Sequence, residues 1–195
     1  MDTKLFAQWK PIVDQYKNNE NIEIEIRFGR RSGKGFDTNV GEARFMKLFE
    51  ALDAYKDWEN KVQKKYDVYY FDDNKRLQIN EETDEREAVK KTRVLVNDFC
   101  LEGTPFDVRL GISTEEPFEY NEETATDQKS KIRWSFIRKN LSIDLSQIQG
   151  TPDDKDADED VSYQVELEII NPKLIETDTV LFNMLYKVFD IVKCF

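Results

Sequence analysis

Apolar and charged residues alternate along much of this chain, and the charged positions are sorted by sign. In residues 21–29 the apolar set Ile22, Ile24, Ile26 and Phe28 leaves Glu23, Glu25 and Arg27 on the opposite side. A period of two marks a β-strand, because successive side chains leave it on opposite faces. Residues 161–170 repeat the pattern, with Val165, Leu167 and Ile169 set against Gln164, Glu166 and Glu168. The runs between these two present cations instead. Lys91 shares a face with Arg93, Lys131 with Arg133, Arg109 with Ser113 and Glu115, and Arg76 with Gln78. One solvated face is ordinary for a single antiparallel strand. Such a face has no need to separate acids from bases strand by strand, so the joint pattern calls for more than solvation.

Eight runs carry the alternation: residues 21–29, 66–71, 76–80, 87–96, 106–115, 129–139, 141–146 and 161–170. Several are joined by hairpin-length connections. Three helices accompany them. Leu5, Phe6, Trp9, Ile12, Val13 and Tyr16 recur at helical intervals near the N-terminus, around Pro11. A second helix, capped by Asp37 or Thr38, carries Phe45, Leu48, Phe49 and Leu52, and a third runs from about Asp178 through Leu181, Leu185, Val188 and Ile191. Many strands with few helices predict an α+β, mainly β chain whose antiparallel sheet closes on itself, since closure removes unpaired edges. The expected fold is a closed eight-stranded antiparallel β-barrel with helices packed outside, one domain over residues 1–195. The helices then cover the apolar faces and the charged faces line a lumen. Unpaired charges there would be costly, so acids and bases must neutralise one another, with a metal and an anionic ligand completing the set.

Residues 29–35, Gly-Arg-Arg-Ser-Gly-Lys-Gly, are basic but lack the Gly-Lys-Ser/Thr ending of a P-loop. They read as an irregular connection, with a phosphate-touching lip as the lesser reading. Residues 150–160 are acidic and turn-rich and read as a mobile surface loop. Trp9, Trp58 and Trp134 read as packing residues rather than base-stacking platforms.

Composition narrows the chemistry. The 195 residues contain 29 Lys+Arg, 40 Asp+Glu and no histidine, for a net charge of −11. Ser-His-Asp and Cys-His catalysis are thereby excluded, as is imidazole-bound zinc. Cys100 and Cys194 are the two cysteines, too few for a disulfide framework, which favours an intracellular over a secreted protein. Any metal would be held by carboxylates and water, which suits Mg²⁺ or Mn²⁺. No run approaches the roughly 20 apolar residues of a membrane span, and Met1-Asp2-Thr3-Lys4 opens no signal peptide. The acidic balance argues against a protein that tracks along a nucleic-acid backbone, but not against a confined basic pocket.

The pair IEIEIRFG (residues 22–29) and YQVELEII (residues 163–170) resembles the two glutamate strands of the triphosphate tunnel metalloenzymes. The likeness is greatest to the metal-dependent RNA 5′-triphosphatases that begin mRNA capping in fungi, protozoa and large DNA viruses. FDVRLGISTEEP, KSKIRWSF and LSIDLS fall between the glutamate strands in the family's order. The resemblance implies a triphosphate tunnel that hydrolyses the γ-phosphate from the 5′-triphosphate end of nascent RNA. By the same resemblance Glu23, Glu25 and Glu168 would coordinate Mn²⁺ or Mg²⁺, with Glu166 beside them. Arg76, Lys91, Arg109, Lys131 and Arg133 would contact the triphosphate, Lys131 and Arg133 acting in catalysis, and Arg93 would join them if the strand register allows. Glu115 would orient or deprotonate the attacking water, and Asp144 would support the tunnel floor or a metal-bound water.

Gln164 and Ser142 depart from the family, standing where an acid and a base are common. The resemblance also implies an intracellular site of action (cytoplasm, viral factory or virion, or nucleus) and guanylyltransferase and methyltransferase domains in cis or trans. The close of the sequence on Val192-Lys193-Cys194-Phe195 suits the N-terminal part of a longer capping enzyme. Two alternatives remain open. One is another activity of the same superfamily, acting on tripolyphosphate, thiamine triphosphate or a nucleoside triphosphate. The other is a non-catalytic barrel that binds a polyphosphate or nucleotide.

Overall fold

In the computed structural model, residues 2–33, 35–121, 123–150 and 161–195 are described. Their elements run α1 (Asp2–Tyr16), β1 (Ile22–Ser32), β2 (Gly35–Asp37), α2 (Glu42–Ala54), β3 (Asn60–Tyr70), β4 (Lys75–Asn80), β5 (Arg86–Cys100), β6 (Asp107–Pro117), β7 (Asp127–Arg138), β8 (Leu141–Gly150), β9 (Val161–Ile169) and α3 (Asp178–Val192). Every strand pairing is antiparallel, in the spatial order β1-β6-β5-β4-β3-β7-β8-β9. The last strand returns to the first through Glu25–Glu168, Ile26–Leu167 and Arg27–Glu166. The sheet is therefore the closed eight-stranded barrel that the alternation predicts, and β2 is a short ninth strand laid on the end of β1.

Closure fixes which face is dry. Ile24, Ile26 and Phe28 of β1, Val108, Leu110 and Ile112 of β6, and Val165, Leu167 and Ile169 of β9 pack outward into one apolar cluster with Leu5, Trp9 and Val13 of α1, Phe45 and Leu48 of α2, and Leu181, Leu185, Val188 and Ile191 of α3. Complete burial of each such side chain contributes roughly 1.5–3 kcal/mol, so the helices hold the seam where the two glutamate strands meet. The tryptophans are packing residues, as expected. Trp9 is fully buried, Trp134 packs edge-on between Phe45 and Phe49, and the Trp58 indole donates to the Leu52 carbonyl at 2.7 Å. No helix among the described residues is long and apolar enough to cross a membrane.

Three expectations need correction. Residues 29–35 are not an irregular connection, because β1 continues to Ser32 and pairs Arg30 with Asp37, Arg31 with Phe36 and Ser32 with Gly35. Gly29 permits this fold-over: a Cβ there would lie 2.2 Å from the Asp37 carbonyl oxygen and 2.5 Å from the Phe36 ring. The N-cap of α2 is Gly41, without a side-chain cap, rather than Asp37 or Thr38. Asp37 instead accepts from the Asn39 amide, and Asn39 from the Gly41 amide, so the polar residues shape the approach to the helix. Finally, β3 begins at Asn60 and β5 runs on to Cys100. Residues 151–160, expected as a surface loop, and Lys34 lie outside the described residues.

Candidate active site

The inward faces enclose a cavity of about 950 Å³ lined in part by Glu25, Arg27, Arg76, Lys91, Arg93 and Arg109, with Phe36 of the β1–β2 hairpin also on its wall. An apolar groove of about 550 Å³ over Leu48, Leu52, Ile143 and Ile191 lies outside the barrel, away from this chemistry.

On the acidic side, Glu25 and Glu168 are cross-strand partners at the seam, and Arg27 is the partner of Glu166. Glu25 and Glu166 are buried. Arg27 bridges them, with Nη2 2.9 Å from Glu25 Oε1 and Nε 2.9 Å from Glu166 Oε1. The second contact is an ion pair without hydrogen-bond alignment, since Nε has no acceptor in line. Lys91 reaches Glu23 in a close ion pair, lies 3.3 Å from Glu25 Oε2 and stands 3.5 Å from Glu115 Oε1. Ser113 donates to Glu23 at 2.8 Å. Gly111 is the cross-strand partner of Glu25 on β6, where an added Cβ would stand 3.1 Å from the Glu25 carboxylate.

Arg76 donates to Glu115 at 3.1 Å on the opposite wall. Arg133 Nη1 stands 3.8 Å from Asp144, whose carboxylate is buried and accepts from Ser142 at 2.6 Å. Lys131 and Arg133 face inward from β7, with Ser146 as the partner of Arg133 on β8. Arg93 pairs in register with Ser113, so it does face the lumen, in an exposed position.

Burial without full compensation shows in the protonation equilibria. The Glu168 carboxyl is pushed up to about 7 by burial and by the charges of Asp144 and Glu23. Glu25 is raised by burial and by Glu166, against the opposing pull of Arg27 and Lys91. Burial acts on Glu166 in the same sense, but Arg27, Lys131, Arg133 and Lys91 together outweigh it and hold this carboxyl low. Lys131 is pushed down to about 7 by burial, then by Arg133 and Arg76. Glu25 and Glu168 thus lack positive charge and Lys131 lacks negative charge, whereas Arg133, against burial, is raised by Glu166, Asp144 and Glu168.

The donor inventory matches. The Nε atoms of Arg76 and Arg133 and the hydroxyl of Ser146 are buried without a hydrogen-bond partner among the described residues. Acceptors of a polyanion would satisfy them. The oxygen-only set Glu23, Glu25 and Glu168 has the hard-donor chemistry that suits Mg²⁺ or Mn²⁺. Among the described residues, however, no three His, Cys, Asp or Glu side chains stand close enough to hold a metal ion.

Every residue expected at the site therefore faces one lumen: Glu23, Glu25, Arg76, Lys91, Arg93, Arg109, Glu115, Lys131, Arg133, Asp144, Glu166 and Glu168. Arg27, which the alternation already places on the luminal face though without a role, stands there too, as do Asp98 and Ser146, which were not expected. Arg27 and Ser146 were legible as the remaining members of the charged faces of β1 and β8. Asp98 was hidden by a bulge between Arg93 and Leu95.

Comparison with known proteins agrees with this geometry. The model of the family described as mRNA capping enzyme, beta chain, an mRNA triphosphatase family, matches residues 31–195. The chain belongs to this family. Among solved structures, the RNA triphosphatase Pct1 of S. pombe superposes with a TM-score of 0.78 at 18% identity, over 95% of this chain and 91% of that one. The RNA triphosphatase domain of the trifunctional mimivirus mRNA capping enzyme gives 0.62 at 18% identity, over 96% of this chain and 97% of that one. At such identity these likenesses show the fold, the closed triphosphate tunnel of the capping triphosphatases. No curated protein matches the sequence.

Proposed function

We propose that this tunnel hydrolyses the γ-phosphate from the 5′-triphosphate end of RNA with the help of Mg²⁺ or Mn²⁺, the first step of mRNA capping. The observation that carries the reading is the split lumen: Glu25 and Glu168, raised by burial and neighbouring carboxylates at the β1–β9 seam, share it with Lys131, which is short of negative charge, and with Arg76 and Arg133, whose Nε atoms lack an acceptor. A metal-bound triphosphate supplies both deficits together, which neither a free cation nor a neutral ligand does.

Glu23, Glu25 and Glu168 would hold the metal, with Glu166 beside them and fixed by Arg27. When bound, the cation stabilises negative charge on phosphate oxygens. Arg76, Lys91, Arg93, Arg109, Lys131 and Arg133 bind the triphosphate and place its γ-phosphorus for in-line attack; Lys131 and Arg133 face the charge that moves onto the leaving diphosphate. Glu115, anchored by Arg76 and Lys91, orients the attacking water and accepts its proton. Asp144 steadies Arg133. The reaction needs charge neutralisation and positioning rather than a covalent nucleophile, consistent with a chain that has no histidine. The diphosphate end is a substrate for nucleotidyl transfer, so guanylyltransferase and methyltransferase activities would follow, in cis or in trans.

The test is release of inorganic phosphate from triphosphate-ended RNA with Mn²⁺ or Mg²⁺, beside Glu25→Ala. Wild-type release that needs the metal, and its loss in the variant, is expected. Release unaffected by a chelator, or retained in Glu25→Ala, sinks the assignment. Competing ATP and tripolyphosphate against the RNA separates it from the other tunnel activities.

A further inference from the structure

Arg109 differs from the other lumen cations in how it is held. Asp98 grips one edge of its guanidinium: Nε donates to Oδ1 at 2.7 Å and Nη2 to Oδ2 at 3.0 Å. Phe36 covers a face, its ring centroid 4.5 Å from the Arg109 Cζ. Such a fork fixes the plane of the group, and an aromatic face against a guanidinium is attractive as well as shape-defining. What remains free is the edge bearing Nη1, in a side chain that lines the cavity.

Three features of the chain exist to build this grip. The bulge between Arg93 and Leu95 shifts β5 by one residue, so that beyond it Val96 opposes Gly111 and Asp98 opposes Arg109. Without the shift Asp98 would face away from the lumen. The β1–β2 hairpin carries Phe36, and Gly29 leaves the room for it, since a Cβ there would stand 2.5 Å from the ring. Arg31 of the hairpin lies 3.6 Å from Asp98 and its amide donates to Asp107 at 3.1 Å, which ties the hairpin to the same spot.

We propose that Phe36 and Asp98 are positioning residues that act through Arg109, presenting its free edge to the phosphate chain in the cavity that both Arg109 and Phe36 line. Neither touches the reacting atoms. The proposal rests on the triphosphatase reading for its substrate. Its physical content, a preorganised anion donor, is separate. Preorganisation lowers the entropy lost on binding, so the effect falls on affinity rather than on the chemical step.

The experiment measures binding of inorganic tripolyphosphate by calorimetry, with and without Mg²⁺, for wild type, Phe36→Ala, Phe36→Tyr, Phe36→Leu, Asp98→Asn, Arg109→Ala and the double variant Phe36→Ala/Arg109→Ala. KM and kcat for triphosphate-ended RNA and the Tm of each protein are measured in parallel. Expected is a loss of affinity of about tenfold in Phe36→Ala, Phe36→Leu and Asp98→Asn, the scale of one charge-assisted hydrogen bond. KM should rise by a similar factor with kcat within about twofold, the mark of uniform binding. Phe36→Tyr, which keeps the ring, should bind as wild type does. Phe36→Ala should add nothing on the Arg109→Ala background.

Wild-type affinity in Phe36→Ala and Asp98→Asn, a Phe36→Leu protein as good as Phe36→Tyr, an additive double variant, or a wild type that binds no tripolyphosphate overturns the proposal. A fall in Tm with unchanged affinity also overturns it, since that is a structural role alone. A wild type that binds tripolyphosphate but releases no phosphate from RNA overturns the activity instead and leaves the positioning intact.

Discussion

Glu25 and Glu168 face one another directly across the seam where the last barrel strand pairs with the first. Like charges opposite on neighbouring strands are destabilising, and burial adds to the cost. Both carboxyls are raised above their ordinary range, Glu25 by burial and Glu166, and Glu168 by burial, Asp144 and Glu23. A fold selected for stability alone has no reason to close its barrel on this pair. Arg27 and Lys91 offset part of the repulsion, and Glu168, next to Asp144 and Glu23, is left the least compensated.

The first prediction concerns that deficit. Glu168 titrates near 4.5 when unfolded and near 7 in the fold. A raised carboxyl contributes stability that is fully present below the unfolded value and lost as pH rises through the folded one. In chelator, the Tm of the wild type should therefore fall across this window more steeply than that of Glu168→Gln, and the variant should be the more stable at pH 8. Mn²⁺ should raise the wild-type Tm and leave the variant little changed. Scanning fluorimetry at several pH values checks both, and a variant less stable than wild type in chelator contradicts the argument.

Most of the barrel was legible because each strand keeps its apolar residues on one side, as in residues 22–28 and 165–169. The failures are places where that rule stops applying. Residues 60–65, Asn-Lys-Val-Gln-Lys-Lys, are polar on nearly every position, so no alternation marks the first half of β3, although it pairs with β7 throughout. The β1–β2 hairpin was obscured by its glycines and arginines, which read as loop. In β5 the parity reverses. Lys91 and Arg93 are charged at odd positions, while Leu95 and Phe99 are apolar at odd positions. That reversal is the written trace of the bulge, and following it would have placed Asp98 in the lumen beside Arg109.

Lys131 supplies a second prediction. Its ammonium is pushed from 10.5 down to about 7 by burial, then by Arg133 and Arg76. A polyanion beside it restores the charged form, so tripolyphosphate binding at pH 8 should take up protons. Calorimetric enthalpies in two buffers of different ionisation heat report that uptake. Lys131→Arg, charged throughout, should lose it. Equal uptake in the variant would place the proton elsewhere.

Arg27 bridges Glu25 and Glu166, and its removal leaves two buried carboxylates, Glu25 opposite Glu168 and Glu166 two residues from it on the same strand. Truncating one partner of a fully buried pair costs about 3–5 kcal/mol, whereas an exposed pair costs under about 1. Arg27 is 34% exposed, so Arg27→Ala should lose about 2 kcal/mol of unfolding free energy in urea at pH 7. Arg27→Lys should recover only part of this, because an ammonium lacks the planar fork that places a separate nitrogen on each carboxylate. Full recovery by lysine would mean that charge alone, and not the bridging geometry, matters.

Gly111 carries the last prediction. It stands opposite Glu25 on β6, and a methyl group there would press on the carboxylate at 3.1 Å and on its Cγ at 3.3 Å. The contact is with a side chain rather than with backbone, so the barrel can absorb it and Gly111→Ala should fold with nearly the wild-type Tm. The carboxylate must shift by a few tenths of an ångström, which a cation site tolerates poorly: disturbing groups that orient ligands costs about 10–100-fold in metal affinity. Phosphate release from triphosphate-ended RNA should accordingly need about tenfold more Mn²⁺ for half-maximal rate, with the rate at saturating metal largely recovered. An unchanged metal requirement would remove Glu25 from the set of ligands, and a rate not restored by metal would show that Gly111 makes room for the substrate instead.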